Sequence, residues 1–256
     1  MSDFGRRGFL ARGGAAVGLL ALAGCRALSQ PQWLQDLLGS AEGLTRRVQR
    51  GFAGGGALAK EFTRADIAPA FRANGTRNPV DPDYRALAAG GFRDWRLEVN
   101  GLAENPLALS LDQLRAMPSR TQITRHDCVE GWSCIGEWKG TPLRLLLAAA
   151  QPKPKARYVM FYCADPMGTT PDAPLYYESL DLVEAVHPQT ILAYELNGAT
   201  LPIAHGAPVR LRAERQLGYK MAKYVMRIEL VESFGHIRGG RGGYWEDRGY
   251  NWYAGI

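Results

Sequence analysis

The chain has 256 residues, of which 46% are apolar, 22% charged and 10% aromatic. That is enough for one sizeable core, and it excludes a disordered tail protein and a disulfide-framed miniprotein. The formal charge of +6 drops to +4 once Arg6, Arg7, Arg12 and Asp3 are removed with a leader, a surplus that fits a site for anionic ligands better than a nucleic-acid surface.

At the N-terminus, Gly5-Arg6-Arg7-Gly8-Phe9-Leu10 precedes the apolar run Ala15 to Ala23. That run is too short to cross a bilayer of about 30 Å as a helix. Residues 1–24 therefore read as a twin-arginine export signal. Leu22-Ala23-Gly24-Cys25 resembles the lipobox of bacterial lipoproteins, which predicts a lipid anchor on Cys25 at the periplasmic face of a membrane. An ordinary cleaved signal with an incidental cysteine is the alternative. Export of already folded protein is the first hint of a cofactor.

Residues 25–70 read as a Gly- and Ala-rich spacer and arm, with a helical stretch at Trp33 to Leu38. Trp95 to Val99 alternates apolar and polar residues and ends at Asn100-Gly101, which predicts a half-buried strand and a turn. Ser110 with Gln113 forms a capping box for a helix that places Leu111, Leu114 and Met117 on one face. Gln122 to Arg125 reads as a strand, and Thr141-Pro142 as the N-cap and first position of a second helix. Tyr158 to Cys163 is an apolar strand. Ile191 to Leu196 and Ala199 to Ile203 flank Asn197-Gly198, a hairpin signal. Val209 to Ala213 and Lys223 to Val231 alternate as strands. Irregularly interspersed helices and strands predict an α+β fold.

Two stretches carry chemistry. In Arg125-His126-Asp127-Cys128-Val129-Glu130-Gly131-Trp132-Ser133, Cys128 falls at the exit of a strand, where a side chain can face a cavity. Arg125 and a protonated His126 would favour its thiolate. A lone cysteine is ordinarily a buried small hydrophobe, but the neighbours here are charged, aromatic and glycine rather than aliphatic. The second stretch joins His205-Gly206-Ala207-Pro208-Val209-Arg210 to Gly218-Tyr219-Lys220-Met221-Ala222-Lys223. Glycine admits a close ligand, Lys220 and Lys223 supply point charges, and Arg210 offers a bidentate fork for phosphate. The alternative for such cations is a solvated edge. A zinc site from His126, Cys128, Cys134 and Cys163 is the rival metal reading, although it lacks the Cys-x-x-Cys rhythm of structural zinc.

Taken together, these motifs, with Trp138-Lys139-Gly140 and Gly249-Tyr250-Asn251-Trp252-Tyr253-Ala254 downstream, resemble the molybdopterin-binding domain of the sulfite oxidase superfamily. They are closest to its exported single-domain bacterial members, among them periplasmic methionine-sulfoxide reductase catalytic subunits. The resemblance covers residues 71–256 and implies a single mixed domain. It further implies a molybdenum–molybdopterin cofactor, in the pyranopterin form without a nucleotide, with Cys128 as the metal ligand. His205, Arg210 and the Met221-Ala222-Lys223 segment would bind the pterin and its phosphate, with Gly218 and Lys220 added on the arguments above. Arg72 and Asn74 fall where sulfite oxidases carry an Arg-Asn-His contact, a motif that is broken here. Cys163 would either touch the pterin or fill the core. Arg125 and Arg72 are the candidate cations for a substrate anion.

The activity implied is oxygen-atom transfer, with reduction of free or protein-bound sulfoxides such as methionine sulfoxide favoured. A sulfite oxidase-like dehydrogenase is the alternative, and a non-catalytic lipoprotein that binds a pterin or oxyanion is an alternative of another class. Electrons would come from a haem-containing partner, a membrane cytochrome b or a soluble cytochrome. The lack of a dimerisation domain implies a monomer.

Overall fold

The computed structural model describes residues 43–49, 51, 56–168, 170 and 173–256. The export signal, Cys25 and the helix expected at Trp33 to Leu38 lie outside the described residues. The chain divides into two compact units, 1–48 and 49–256. Residues 43–48 of the first are helical, and everything below concerns the second.

In chain order the second unit contains α1 (Pro82–Ala89), β1 (Arg96–Gly101), β2 (Leu107–Ser110), α2 (Leu111–Ala116), β3 (Arg120–Asp127) and β4 (Ser133–Pro142). There follow α3 (Leu143–Ala150), β5 (Tyr158–Pro166), β6 (Leu175–Asp181), α4 (Leu182–Ala185), β7 (Ile191–Leu196), β8 (Ala199–Thr200), β9 (Arg210–Arg212) and β10 (Val225–Val231). One sheet runs β2-β1-β10-β5-β6, the other β3-β4-β7-β8 with β9 on β7. Every pairing is antiparallel except β1 with β10. The architecture is the α+β domain expected.

Local chemistry explains most boundaries. The Ser110 hydroxyl accepts from Gln113 N while the Gln113 side chain accepts from Ser110 N, so α2 begins with the expected reciprocal cap. Asn197 and Gly198 both take positive φ, +51° and +77°, the twist a two-residue hairpin needs. The second arm of that hairpin is short, because Pro202 cannot donate to the ladder and the chain turns into a 3-10 segment at Ile203–His205. α3 starts one residue later than expected. Thr141 is still in β4, and its hydroxyl donates to Leu114 O at 2.7 Å instead of capping the helix.

A continuous core joins both sheets. Leu97 and Val99 of β1, Leu146 of α3, Phe161 of β5, Leu192 of β7, Leu211 of β9 and Ile228 of β10 all belong to it. On β9 the alternation is strict, so Leu211 enters that core while Arg210 and Arg212 leave on the opposite face. There they lie 4.9 and 4.4 Å from the ring centroid of Trp138, which β4 presents.

Residues 59–71 run beside β3 and β4. Phe62 N donates to Ile123 O at 2.8 Å and Ala68 N to Ile135 O at 3.0 Å, and Gln189 exchanges hydrogen bonds with both backbone groups of Ala59. Phe71 then packs edge-on to Trp138 at 5.0 Å, in space left open by Gly136.

Gly101 combines a φ of +78° with a position where a Cβ would run into the backbone of Leu230. Gly101→Ala is therefore expected to cost about 3 kcal/mol of unfolding free energy. This would lower Tm by roughly 6–12 °C in a thermal melt.

Candidate active site

β3 ends at Asp127, and the chain then makes a tight turn in which Cys128 N donates to Trp132 O at 2.9 Å and Gly131 N to Cys128 O at 3.0 Å. Gly131 takes φ +83°, which closes the turn and leaves the Cys128 side chain facing a cavity of about 240 Å3. Asn74 Nδ2 donates toward Cys128 Sγ at 3.5 Å. The cavity gathers residues from the arm (Phe71, Arg72, Asn74), from His126 and Cys128, from Asp165 at the end of β5, and from His205, Arg210, Gly218, Met221 and Lys223.

The cations at its floor are poorly satisfied. Arg210 is buried, donating to His205 O at 3.1 Å and Met221 O at 3.4 Å, while its Nε has no partner. Burial, then the neighbouring Arg212, lowers its pKa to about 9. Lys223 donates to Asn74 O at 2.7 Å and also to Thr76 O, tying the arm to the cavity. Its pKa falls to about 8 because burial and Arg210 outweigh the attraction of Asp165. Burial raises Asp165, whose Oδ1 is buried and unpaired. His205 is pushed down to about 4 by burial and by Arg210 and Lys223.

Of the residues expected from sequence, Cys128, Arg72, Asn74, His205, Arg210, Gly218, Met221 and Lys223 line the cavity. Four do not. Arg125 points to the outer face of β3, more than half exposed and ion-paired with Asp127 at 2.9 Å, since residues i and i+2 share a face. Lys220 is consumed by the buried carboxylates Glu178 and Glu246. Ala222 packs in the core, and its carbonyl accepts from Leu211 N. Cys163 is also a core residue, on β5 opposite Val225, and burial holds its thiol well above the ordinary range. Cys128, Cys134 and Cys163 are free thiols. No group of three or more His, Cys, Asp or Glu able to hold a metal ion occurs among the described residues.

His126 departs from its expected role. Arg212 donates to its Nδ1 at 3.0 Å, and burial with Arg212, Arg210 and Lys223 keeps its pKa well below the usual histidine range. A neutral imidazole supplies no cation to Cys128. Sequence reasoning also missed Phe71, Thr76, Asp165, Tyr176, Trp132, Trp245 and Tyr250 as cavity residues. Asp165 was detectable as a carboxylate closing an apolar strand, and Trp132 and Tyr250 lie within motifs already singled out, whereas Tyr176 and Trp245 come from segments with no local signal.

A family model described as "Oxidoreductase molybdopterin binding domain" matches residues 86–235. The chain belongs to that family. A candidate protein-methionine-sulfoxide reductase subunit of Azospira oryzae, YedZ1, is 38% identical over 250 residues, spanning 98% of this chain and 87% of the relative. The protein-methionine-sulfoxide reductase catalytic subunit MsrP of Ralstonia nicotianae is 37% identical over 60% of this chain and 49% of its own length. The MsrP of Xanthomonas axonopodis pv. citri is 34% identical over 83% and 66% respectively. Among solved structures, the sulfane dehydrogenase SoxCD from Paracoccus pantotrophus aligns over 57% of this chain and 40% of its own, with a TM-score of 0.49 and 25% identity. The chain is thus a molybdopterin-dependent oxidoreductase of the sulfite oxidase type, with a molybdenum–molybdopterin cofactor.

The residues present fit that cofactor. A soft thiolate donor opens onto the cavity at Cys128, as a metal of high oxidation state bound through sulfur requires. The unpaired Nε of Arg210 and the lowered pKa of Lys223 are what a site built for a phosphate shows without one. The unpaired Oδ1 of Asp165 is an acceptor suited to the N–H edge of a pterin.

Buried His187 contributes a loss of stability in acid. His187, which meets Ala57 O at 3.0 Å, is lowered to about 4 by burial and Arg215. The unfolded chain takes up this proton below about pH 6.5 and the folded chain only near pH 4, so stability falls as pH falls through that window. Urea unfolding should show a lower free energy at about pH 5 than at pH 7, and His187→Gln should reduce the difference.

Proposed function

We propose that this chain is exported by the twin-arginine route and reduces methionine sulfoxide in envelope proteins, held at the periplasmic face by lipid on Cys25. It works as a monomer and receives electrons from a haem-containing partner, a membrane cytochrome b or a soluble cytochrome. The observation that carries the reading is the Cys128 thiol opening on a cavity that is also lined by Lys223 and by Arg210 with an unpaired Nε. The printed names of the relatives support the choice of substrate.

In this reading the Cys128 thiolate is the protein's ligand to molybdenum, which supplies a two-electron couple when bound. Arg210 and Lys223 would hold the phosphate, with His205 beside it, and Asp165 would offer an acceptor to the pterin ring. Asn74 Nδ2 donates toward Cys128 Sγ and holds the thiolate's orientation. The net reaction takes sulfoxide, two electrons and two protons to thioether and water.

The cavity mouth suits a neutral polar substrate. Trp132, Trp245, Tyr219 and Tyr250 line it, with Trp245 and Tyr250 stacked at 5.3 Å. Glu130 sits on the same rim and accepts from Trp132 Nε1 at 3.0 Å, so a carboxylate faces whatever enters. Arg72 stacks on Trp132 at 4.8 Å and, among the described residues, is the arginine that lines the rim, since Arg125 lies elsewhere. One arginine beside a carboxylate is a poor receptor for sulfite, which carries up to two charges, and an adequate one for a sulfoxide dipole.

The test is turnover of holoprotein purified from its own host, reduced by a viologen dye and offered oxidised casein, or offered sulfite with ferricyanide. Sulfoxide reduction well above sulfite oxidation, with about one molybdenum per chain, is the expected result. Cys128→Ser should lower turnover by more than the roughly 10–100-fold that losing an outer-shell partner costs. Dominant sulfite oxidation, or normal turnover in Cys128→Ser, would overturn the reading. Because Lys223 must be protonated to hold phosphate, uptake of pterin by cofactor-free protein should weaken as pH rises through about 8. In Lys223→Met that dependence should vanish.

A further inference from the structure

The inward-facing row of β3 is polar, namely Gln122, Thr124 and His126. Two of these belong to one buried chain of hydrogen bonds. Gln122 Nε2 donates to Glu214 Oε1 at 2.8 Å, and Glu214 grips Arg212 through Nε at 2.9 Å and Nη2 at 2.6 Å. The remaining fork of Arg212, Nη1, reaches His126 Nδ1 at 3.0 Å. A guanidinium can only donate, so Nδ1 must be the acceptor, and the ring proton sits on Nε2. Met221 Sδ, at 3.3 Å from Nδ1, adds no competing acceptor of comparable strength.

The other edge of the ring is arranged with equal care. Phe71 meets it edge-on at 5.9 Å and Trp132 lies tilted at 5.6 Å, which fixes the ring plane. Nε2 and Cε1 lie against Gly218, where a Cβ would collide with both. Gly218 is therefore glycine to admit this imidazole, whereas the sequence suggested close approach of a ligand. Among the described residues no acceptor is hydrogen-bonded to Nε2, although His126, two residues before Cys128, lines the same cavity.

We infer that His126 is a positioning donor for the cofactor, its Nε2–H aimed into the cavity by the Glu214–Arg212 pair to meet an electron-rich acceptor of the pterin chelate. An N–H directed at a ligand of the metal stabilises added electron density and raises the reduction potential. The inference rests on Cys128 as the metal ligand, and it does not depend on the identity of the substrate.

Two measurements on holoenzyme test it. The first is 15N NMR of histidine-labelled protein, in which only four histidines contribute. His126 should show a protonated Nε2 and a bare Nδ1, and the opposite tautomer would overturn the inference. The second is the molybdenum reduction potential with pterin and metal content measured alongside. His126→Leu should lower the potential or release the pterin, and His126→Gln, which restores an N–H at similar reach, should recover most of the loss. A potential and cofactor content unchanged in His126→Leu, or equally damaged in both variants, would overturn it. Neither readout uses sulfoxide turnover, so failure of the substrate assignment would be seen separately. Wild-type protein without molybdenum would indict the metal ligand instead.

Discussion

A guanidinium in a protein interior needs a counter-charge, and among the described residues Arg212 has a direct ion pair whereas Arg210 has none. Both leave β9 on the same face and both lie over Trp138. Arg212 is neutralised by the bidentate carboxylate of Glu214, whereas Arg210 has carbonyl partners and an unpaired Nε. Leaving a buried cation in that state costs several kcal/mol. Burial first, and then the surrounding cations Arg210 and Arg212, push Lys223, His126 and His205 toward their neutral forms around one cavity. An anionic cofactor reverses each of these penalties, which couples its binding to the stability of the fold.

The two sheets divide the labour. The β3-β4-β7 sheet supplies Cys128, His126 and the Arg–Trp stack, while β5 and β10 of the other bring Asp165 and the segment before Val225 that carries Lys223. The arm closes the remaining side, since Lys223 and the Tyr224 hydroxyl both donate to Thr76 O. One continuous core fixes the distance between these groups, so the site is held by packing rather than by a mobile loop.

Much of this was legible from the chain. The capped helix at Ser110, the Asn197-Gly198 hairpin and the strands at Tyr158 and Lys223 follow from local rules that tertiary structure did not override. The losses have identifiable causes. β4 carries Gly136 and Gly140, which weaken a strand pattern but are needed where Phe71 and the β7 backbone press against the strand. β6 buries Glu178 mid-strand beside Lys220, which conceals an apolar pattern and draws Lys220 away from the cavity. β3 extends beyond Gln122 to Arg125 at both ends, because its buried row is polar and does not announce itself by alternation. Among the site residues, charge and motif brought Arg210 and Lys223 to the cavity, but the face on which Arg125 emerges depended on strand register.

The central claim is that one protein sulfur joins the chelate's own pair at the metal. Molybdenum X-ray absorption on holoprotein counts the sulfur neighbours directly. The account predicts three in the native enzyme and two in Cys128→Ser with the pterin still bound. The same number of sulfurs in both proteins would contradict it.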